Sequence, residues 1–291
     1  MKAEIIAIGS ELLTPDSIDT NSLYLTRTLN ASGCDVHLKT IVGDDQQNIE
    51  GVLRQALERS DLIIFSGGLG PTMDDLTRTA VSSVLEQPLV RNEKFLEELR
   101  GKFALRGFPM SPNNERQAEI IQGADLLDNP WGTAPGMWIE KAGRHIILLP
   151  GPPRELRAIF ENHAVPRIRK LFGDTPLAHR SFSITGMTES ELDAQLAPIY
   201  TLYPSIRTTI LAGTGHIAIH LYRCTQESPD IWEIDELAAR IEERLGDAIF
   251  STQNEPMEEV VGRMLRNAGK TIAVAESCTA GMLGMRLTRM P

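Results

Sequence analysis

Residues 66–77 read Ser-Gly-Gly-Leu-Gly-Pro-Thr-Met-Asp-Asp-Leu-Thr. A short apolar run, Leu62–Phe65, leads into this stretch, and a helical pattern from Thr77 to Leu85 leads out of it. A glycine-rich turn between a buried strand and a helix can hold an anion, because N–H groups at the helix start point outward and glycine lets a phosphate approach closely. The stretch therefore predicts a phosphate site where a strand of an α/β fold meets a helix.

Two aspartates, Asp74 and Asp75, stand at the mouth of the predicted helix. Carboxylates repel a bare phosphate, but a divalent cation can join the two, because hard cations take carboxylate and phosphate oxygens together. Aspartate is also a common N-cap residue, so helix capping is the alternative interpretation. Two adjacent aspartates directly after Gly67-Gly68-x-Gly70-Pro71-Thr72 favour a ligand site.

Two better-known phosphate motifs do not match this stretch. A P-loop is excluded because no Gly-Lys-Ser/Thr follows the glycines. The glycine spacing is GGxG rather than the GxGxxG of dinucleotide-binding folds, and Pro71 stands where their helix would already run.

The amino-acid composition disfavours some classes of binding partner. The chain has 291 residues, with 29 basic and 39 acidic side chains and a net charge of −10, which disfavours nonspecific binding to nucleic acid or to anionic membranes. No apolar run approaches the ~18 residues of a membrane helix, and a strand pattern that begins right after Met1 leaves no room for a signal peptide. The three cysteines, Cys34, Cys224 and Cys278, are too far apart for a disulfide framework or a Cys-x-x-Cys metal site. We therefore expect a cytoplasmic protein.

Strand and helix patterns alternate along the first 170 residues or so, and this alternation predicts an α/β fold of three layers, a parallel sheet with helices on both faces. In such sheets, ligands bind beyond the carboxyl ends of the strands. Three segments each follow a predicted strand: Gly9-Ser10-Glu11, Gly43-Asp44-Asp45 and the loop at Gly67. They are therefore expected to meet at one edge of the sheet.

The second half of the chain has a different character. Residues 177–250 combine half-exposed strand patterns with two helical segments, at 188–197 and 235–245, and predict a small α+β module. The other predicted elements are helices at 92–106, 113–121 and 257–267, a turn-rich loop at 129–136, a linker at Gly173–Pro176, a hairpin turn at Gly213-Thr214-Gly215 and a strand at 271–275.

Six short motifs follow one another along the first half of the chain. They are Gly9-Ser10-Glu11-Leu12-Leu13, Asp19-Thr20-Asn21-Ser22, Val42-Gly43-Asp44-Asp45, Gly67-Gly68-Leu69-Gly70-Pro71-Thr72 with Asp74-Asp75, Gly132-Thr133-Ala134-Pro135-Gly136 and Leu149-Pro150-Gly151-Pro152-Pro153. As a set in this order, they resemble the CinA family of competence/damage-inducible proteins.

The resemblance implies three domains. Residues 1–172 are similar to the MoaB/Mog-like molybdopterin-binding domain, residues 176–250 to a KH-type domain, and residues 255–291 to the opening of a nicotinamide-mononucleotide (NMN) deamidase domain. Molybdopterin enzymes usually carry Arg-Asp before the helix, and Asp74 stands in place of that arginine, which suits a metal. KH domains that bind RNA use a Gly-x-x-Gly loop, which this module lacks, so nucleic acid is not expected as a partner.

In the CinA family, the first domain implies a metal-dependent pyrophosphatase that converts ADP-ribose to AMP and ribose 5-phosphate. The expected cofactor is Mg²⁺, Mn²⁺ or Co²⁺, held by Asp75 and Asp44 with Asp74 assisting, and the expected assembly is a homodimer. The residues expected to bind substrate are Ser10, Glu11, Asn21, Gly67, Gly68, Gly70, Pro71, Thr72, Asn129, Thr133, Pro150, Gly151 and Pro152. The alternative is a non-catalytic nucleotide- or molybdopterin-binding module with a role in competence or DNA damage.

The resemblance makes Ser277 the nucleophile of the deamidase domain. A serine nucleophile needs a positioned base and an oxyanion site. Since few residues follow Ser277, we expect this chain to be truncated in that domain, Ser277 to be vestigial and NMN deamidation to be absent.

Overall fold

The apolar runs of the first half form the strands of one sheet. A computed structural model describes residues 1–173, 177–213, 215–223 and 232–289, which divide into two compact units, Met1–Leu177 and Ala178–Pro291. The strands of the first unit are β1 (Lys2–Ile8), β2 (Asp35–Val42), β3 (Leu62–Ser66), β4 (Leu89–Arg91), β5 (Glu119–Ile121), β6 (Asp125–Leu127), β7 (Gly136–Lys141) and β8 (Arg144–Leu149). Its helices are α1 (Thr20–Ala31), α2 (Gln46–Arg59), α3 (Thr77–Leu85), α4 (Glu93–Leu105), α5 (Pro153–Ile159) and α6 (Val165–Phe172).

The main sheet has six strands in the order β2-β1-β3-β8-β7-β6, and the first four are parallel. The packing of β3 explains why the run Leu62–Phe65 is apolar throughout. Ile63 and Phe65 pack into one buried cluster with α2 and α3, whereas Leu62 and Ile64 pack into another with α1 and α5. A strand that is buried on both faces has no solvent side on which to place polar residues. The predicted three-layer α/β fold is confirmed.

Two short parts of the first unit differ from expectation. The segment predicted as a helix at 113–121 is a 3₁₀ turn, Pro112–Ala118, followed by β5, which pairs with β4 in an antiparallel ribbon. Strands β6 and β7, which were not predicted, extend the sheet in antiparallel fashion beyond β8. Strand β5 is fixed by β4, a partner that is distant in sequence, so its local pattern carries little information. Strand β7 pairs with its neighbour β8 across the short turn between Lys141 and Arg144, a hairpin that the sequence patterns did not indicate.

The second unit is built around an antiparallel sheet. Its strands are β9 (His179–Ile184), β10 (Ile206–Gly213), β11 (His216–Arg223) and β12 (Ile249–Ser251), in the order β10-β11-β9-β12, and the helices are α7 (Glu189–Tyr200) and α8 (Trp232–Leu245). This confirms the predicted small α+β domain, while its KH-type assignment stays a prediction. The pairing of Gly213 with His216 closes the hairpin where a turn was predicted. Thr214 of that turn, Cys224 and most of the predicted linker at 173–176 lie outside the described residues.

The last segment contains α9 (Met257–Asn267) and α10 (Met282–Leu287). The strand predicted at 271–275 is wrong, since these residues are exposed and unpaired with any described strand. A strand completes its backbone hydrogen bonds only through a neighbouring strand, so an apolar run alone is insufficient. Among the described residues, no helix combines the length and the apolar character that a membrane crossing requires.

Candidate functional site

The loops after the parallel strands meet around one cavity of about 360 Å³. Because these strands all run in the same direction, the segments that follow them emerge at the same edge of the sheet. The predicted site residues that line this cavity are Glu11, Asp44, Gly67, Gly68, Gly70, Pro71, Thr72, Asp74, Asp75, Thr133, Pro150, Gly151 and Pro152. Ser10, Asn21 and Asn129 are not part of its lining and have other positions.

Asp75 binds the glycine loop itself. Its Oδ1 accepts a hydrogen bond from the Gly70 N–H at 2.7 Å, and its Oδ2 accepts from the N–H and the hydroxyl of Thr72 at 2.8 and 2.5 Å. Gly70 has no room for a side chain, because a Cβ there would overlap this carboxylate. The N-cap position of α3 is occupied by Leu76, so Asp75 braces the preceding loop rather than capping the helix.

The hydrogen bonds to Asp75 reduce the number of backbone N–H groups that can face a ligand. The Gly67 N–H donates to the Leu149 carbonyl at 2.9 Å, the N–H groups of Gly70 and Thr72 donate to Asp75, and proline has none. Within the described part of the chain, the N–H groups of Gly68 and Leu69 have no partner. Within residues 67–72, these two groups are therefore the donors that remain for a phosphate.

Two arginines hold the opposite side of the loop. Arg78 of α3 is 3% exposed and donates to the carbonyls of Leu69 and Gly70 at 2.7 and 3.0 Å. Arg116 donates to the Thr72 carbonyl at 2.7 Å. The loop thus lies between guanidinium groups that bind its carbonyls and a carboxylate that binds its N–H groups. Sequence analysis missed both arginines, because a lone arginine in a helical pattern is usually a surface residue.

Five carboxylates line the cavity, and no lysine or arginine among the described residues does so. They are Glu11, Asp44, Asp74, Asp75 and Glu155. Asp44 is anchored by Ser10, whose N–H donates to Oδ2 at 2.8 Å and whose hydroxyl accepts from the Asp44 N–H at 3.0 Å. Ser10 therefore positions a cavity residue instead of lining the cavity.

The pKa of Asp74 lies below its ordinary value, mainly because of the Thr72 side chain and also because of the Asp74 N–H. The Thr72 hydroxyl also donates to Oδ2 of Asp75 at 2.5 Å. Asp74 is therefore a carboxylate anion at neutral pH.

The carboxylates of the cavity fit a metal ion that also takes ligands from water and from the substrate. In the described ranges, no three His, Cys, Asp or Glu side chains are grouped closely enough to hold an ion by themselves. Mg²⁺ is commonly held by one or two carboxylates, by waters and by phosphate oxygens of the substrate. The donor set therefore fits a hard cation that enters together with a phosphate, with Asp44 as a protein ligand whose Oδ1 has no partner among the described residues.

Glu155, in the first turn of α5, is a cavity residue that sequence analysis missed. The Nδ2 of Asn129 donates to Glu155 Oε2 at 2.6 Å and to the Ala134 carbonyl at 2.8 Å. The Oδ1 of Asn129 accepts from the N–H groups of Trp131 and Gly132 at 3.1 and 2.9 Å. Asn129 is 1% exposed, so it acts as the internal brace of the 129–136 loop and orients Glu155 toward the cavity. The sequence did contain a signal for Glu155, since it is an acidic residue in the first turn of a helix that follows a strand.

A second cavity of about 370 Å³ adjoins the first and shares Ile8, Glu11, Gly151 and Pro152 with it. Asn21 lines this second cavity and donates from Nδ2 to the Gly151 carbonyl at 2.7 Å and to the Ser66 hydroxyl at 3.2 Å. The predicted site residue Asn21 thus ties the start of α1 to the turn that separates the two cavities.

Ser277 lies on an exposed turn of the second unit, and its hydroxyl is 3.7 Å from the Cys278 thiol. The neighbouring carboxylate of Glu276 accepts hydrogen bonds from Thr279, Leu283 and Gly284 at 2.8 Å each. Within the described residues, Ser277 has no hydrogen bond to a carboxylate, imidazole or amine.

Comparison with known proteins gives two family matches. The family described as "Probable molybdopterin binding domain" matches residues 4–170, and the family described as "CinA C-terminal domain" matches residues 254–291. A CinA-like protein of Solibacter usitatus is 47% identical over 292 residues, which cover 100% of this chain and 70% of that protein. A CinA-like protein of Koribacter versatilis is also 47% identical, over 296 residues that cover 100% of this chain and 71% of that protein.

Among solved structures, the crystal structure of CinA from Thermoplasma acidophilum, described as a protein of unknown function, is 33% identical with a TM-score of 0.54. The match covers 57% of this chain and 97% of that one. Because the first family match spans more than half of the chain and the relatives match its whole length, the chain belongs to the CinA family.

Proposed function

We propose that this protein hydrolyses the pyrophosphate bond of ADP-ribose to AMP and ribose 5-phosphate in the cytoplasm, with a divalent metal ion. The observation that carries the proposal is a glycine loop with two open N–H groups in a cavity lined by five carboxylates. Such a cavity repels a bare phosphate, so an anionic ligand must enter with a cation. ADP-ribose, as the particular substrate, rests on the resemblance to the CinA family.

The residues of the chain have separate tasks in this proposal. The N–H groups of Gly68 and Leu69 hold a phosphoryl oxygen, and Asp44 and Asp75 face the metal. When bound, the metal would neutralise the charge that develops on the phosphoryl oxygens, which is the main demand of phosphoryl transfer. Glu155 keeps Oε1 available to take a proton from the attacking water, because the Asn129 amide holds Oε2.

The second cavity accommodates one of the two sugar halves of ADP-ribose. Asp19, Thr20 and Asn21 line it and supply oxygen acceptors for the hydroxyl groups of a ribose. The shared turn at Gly151 and Pro152 then places the pyrophosphate between the two cavities.

Product analysis tests this function. Incubation of the protein with ADP-ribose and Mg²⁺, Mn²⁺ or Co²⁺ is expected to give AMP and ribose 5-phosphate in equal amounts, measured by chromatography. Excess EDTA should abolish the reaction and added metal should restore it, because the acidic cavity binds pyrophosphate only together with a cation. Full activity in EDTA would rule out the metal, and the absence of AMP with every metal would rule out the hydrolysis.

A non-catalytic nucleotide- or molybdopterin-binding module, with a role in competence or DNA damage, is the second candidate. The observation in its favour is that the first unit matches the family described as a molybdopterin-binding domain. Against it, the cavity lining carries Asp74 and no basic side chain among the described residues. Tight binding of ADP-ribose or molybdopterin without turnover would favour this candidate.

We also propose that the protein is a homodimer held by residues before 251. Removal of residues 256–291 is then expected to leave both the dimer and the ADP-ribose activity in place, because the glycine loop and both cavities belong to residues 1–177. Light scattering of the deleted and complete chains measures this directly. A monomer after deletion would show that the last segment makes the contact.

A further inference from the structure

Arg78 is an unusual cation, because it is buried without an ion-pair partner. Its guanidinium is 3% exposed, and among the described residues it contacts carbonyl oxygens rather than a carboxylate within ion-pair distance. Burial lowers its pKa to about 10, so the group stays charged at neutral pH. Burying a charge without a direct carboxylate contact is costly, and the more distant charges of Asp75 and Glu119 offset only part of that cost, since the pKa stays lowered. A neutral helix residue would avoid this cost, so the presence of the charge calls for an explanation.

The geometry of one peptide group explains why a charge is buried at this position. A trans peptide is planar, and its C=O and N–H point in opposite directions. In the peptide that joins Leu69 to Gly70, the carbonyl accepts from Arg78 at 2.7 Å, and the N–H donates to Asp75 Oδ1 at 2.7 Å. The peptide is therefore fixed from both sides, by the guanidinium behind the loop and by the carboxylate at the cavity.

The second bond of Arg78 adds to this arrangement. Its Nη2 donates to the Gly70 carbonyl at 3.0 Å, so one planar guanidinium fixes two successive carbonyls. A lysine ammonium has the same charge but lacks the planar fork that fits two acceptors in a fixed direction. The shape of the arginine, and not only its charge, matches the loop.

We infer that Arg78 is a positioning residue of the phosphate site, which sets the direction of the Leu69–Gly70 peptide and thereby the position of Asp75. The inference rests on the proposed pyrophosphatase function. Arg78 lies outside the cavity lining and acts on the reaction through the loop. The buried charge also adds positive potential behind a loop whose open side faces five carboxylates.

The test compares Arg78→Lys with Arg54→Lys, the same change in an exposed pair with Glu50 on α2. We expect Arg78→Lys to lower kcat for ADP-ribose by about 10- to 100-fold, on the scale of losing an outer partner that orients a residue of the site, and Arg54→Lys to leave it unchanged. Arg78→Gln, which places no charge in the buried site, is the second variant if the lysine lowers the melting temperature. A folded variant of either kind with wild-type kcat and KM would overturn the inference.

A double-mutant comparison separates positioning from general stabilisation. Because Arg78 and Asp75 act on the same peptide, Arg78→Lys should cost little further kcat in an Asp75→Asn background, whereas independent effects would multiply. Multiplicative losses would overturn the inference. Calorimetric titration with magnesium pyrophosphate gives the second readout, with weaker binding expected for Arg78→Lys. If the unaltered protein binds this ligand but yields no AMP from ADP-ribose, the proposed hydrolysis fails while the positioning role is still decided by the titration.

Discussion

Asp75→Asn is expected to lower kcat for ADP-ribose hydrolysis by roughly 100-fold or more, on the scale of a main electrostatic contributor, while the protein stays folded. Asparagine has nearly the same shape, but it removes a charge from the proposed metal site. It also replaces one of the two carboxylate oxygens by an amide that cannot accept the N–H of Gly70 or of Thr72. Steady-state kinetics with circular dichroism as a folding check measures the change.

The matched control is Asp74→Asn, the same chemical change on the adjacent residue. Asp74 lines the cavity but does not bind the loop N–H groups that Asp75 holds, so a clearly smaller loss of kcat is expected. Small and equal effects of the two substitutions would show that neither carboxylate takes part in the reaction.

Gly67→Ala is expected to destabilise the first unit by about 3 kcal/mol or more. Gly67 has a φ of 105°, which is strained for any residue with a side chain, and an added Cβ would overlap the Ile8 carbonyl oxygen of the neighbouring strand. The clash is with backbone, which cannot move aside as a flexible side chain can. Calorimetry should show the transition of the first unit about 6–12 °C lower.

Gly51→Ala provides the control for this prediction. Gly51 lies within α2, and a Cβ there would meet nothing within 4 Å. Alanine is expected to stabilise the helix by about 0.5–1 kcal/mol, because glycine loses more backbone entropy on folding. An unchanged melting temperature for Gly67→Ala would contradict the backbone geometry described for this loop.

Sequence alone was sufficient for the parallel part of the first unit, but not for β5, β6 and β7. The run Leu62–Phe65 is apolar throughout because both of its faces are covered, and such runs separated by helical patterns indicate a covered parallel sheet. Parallel strands direct their following loops to one edge, so Glu11, Asp44 and the Gly67 loop could be predicted to converge. These inferences needed only local periodicity and the direction of the chain.

The partners of individual side chains were decided by the tertiary structure. Asp75 suggested a metal ligand or a helix cap, but the turn of the loop brings the Gly70 and Thr72 N–H groups to its carboxylate. Arg78 has an ordinary place in a helical pattern, and only the packing of α3 beneath the loop buries it against two carbonyls. Residues 271–275 carry a strand pattern yet form no strand, because no strand in the described part of the chain pairs with them. Periodicity reports which face of an element is buried, whereas hydrogen-bond partners depend on the distances between atoms that only the folded chain brings together.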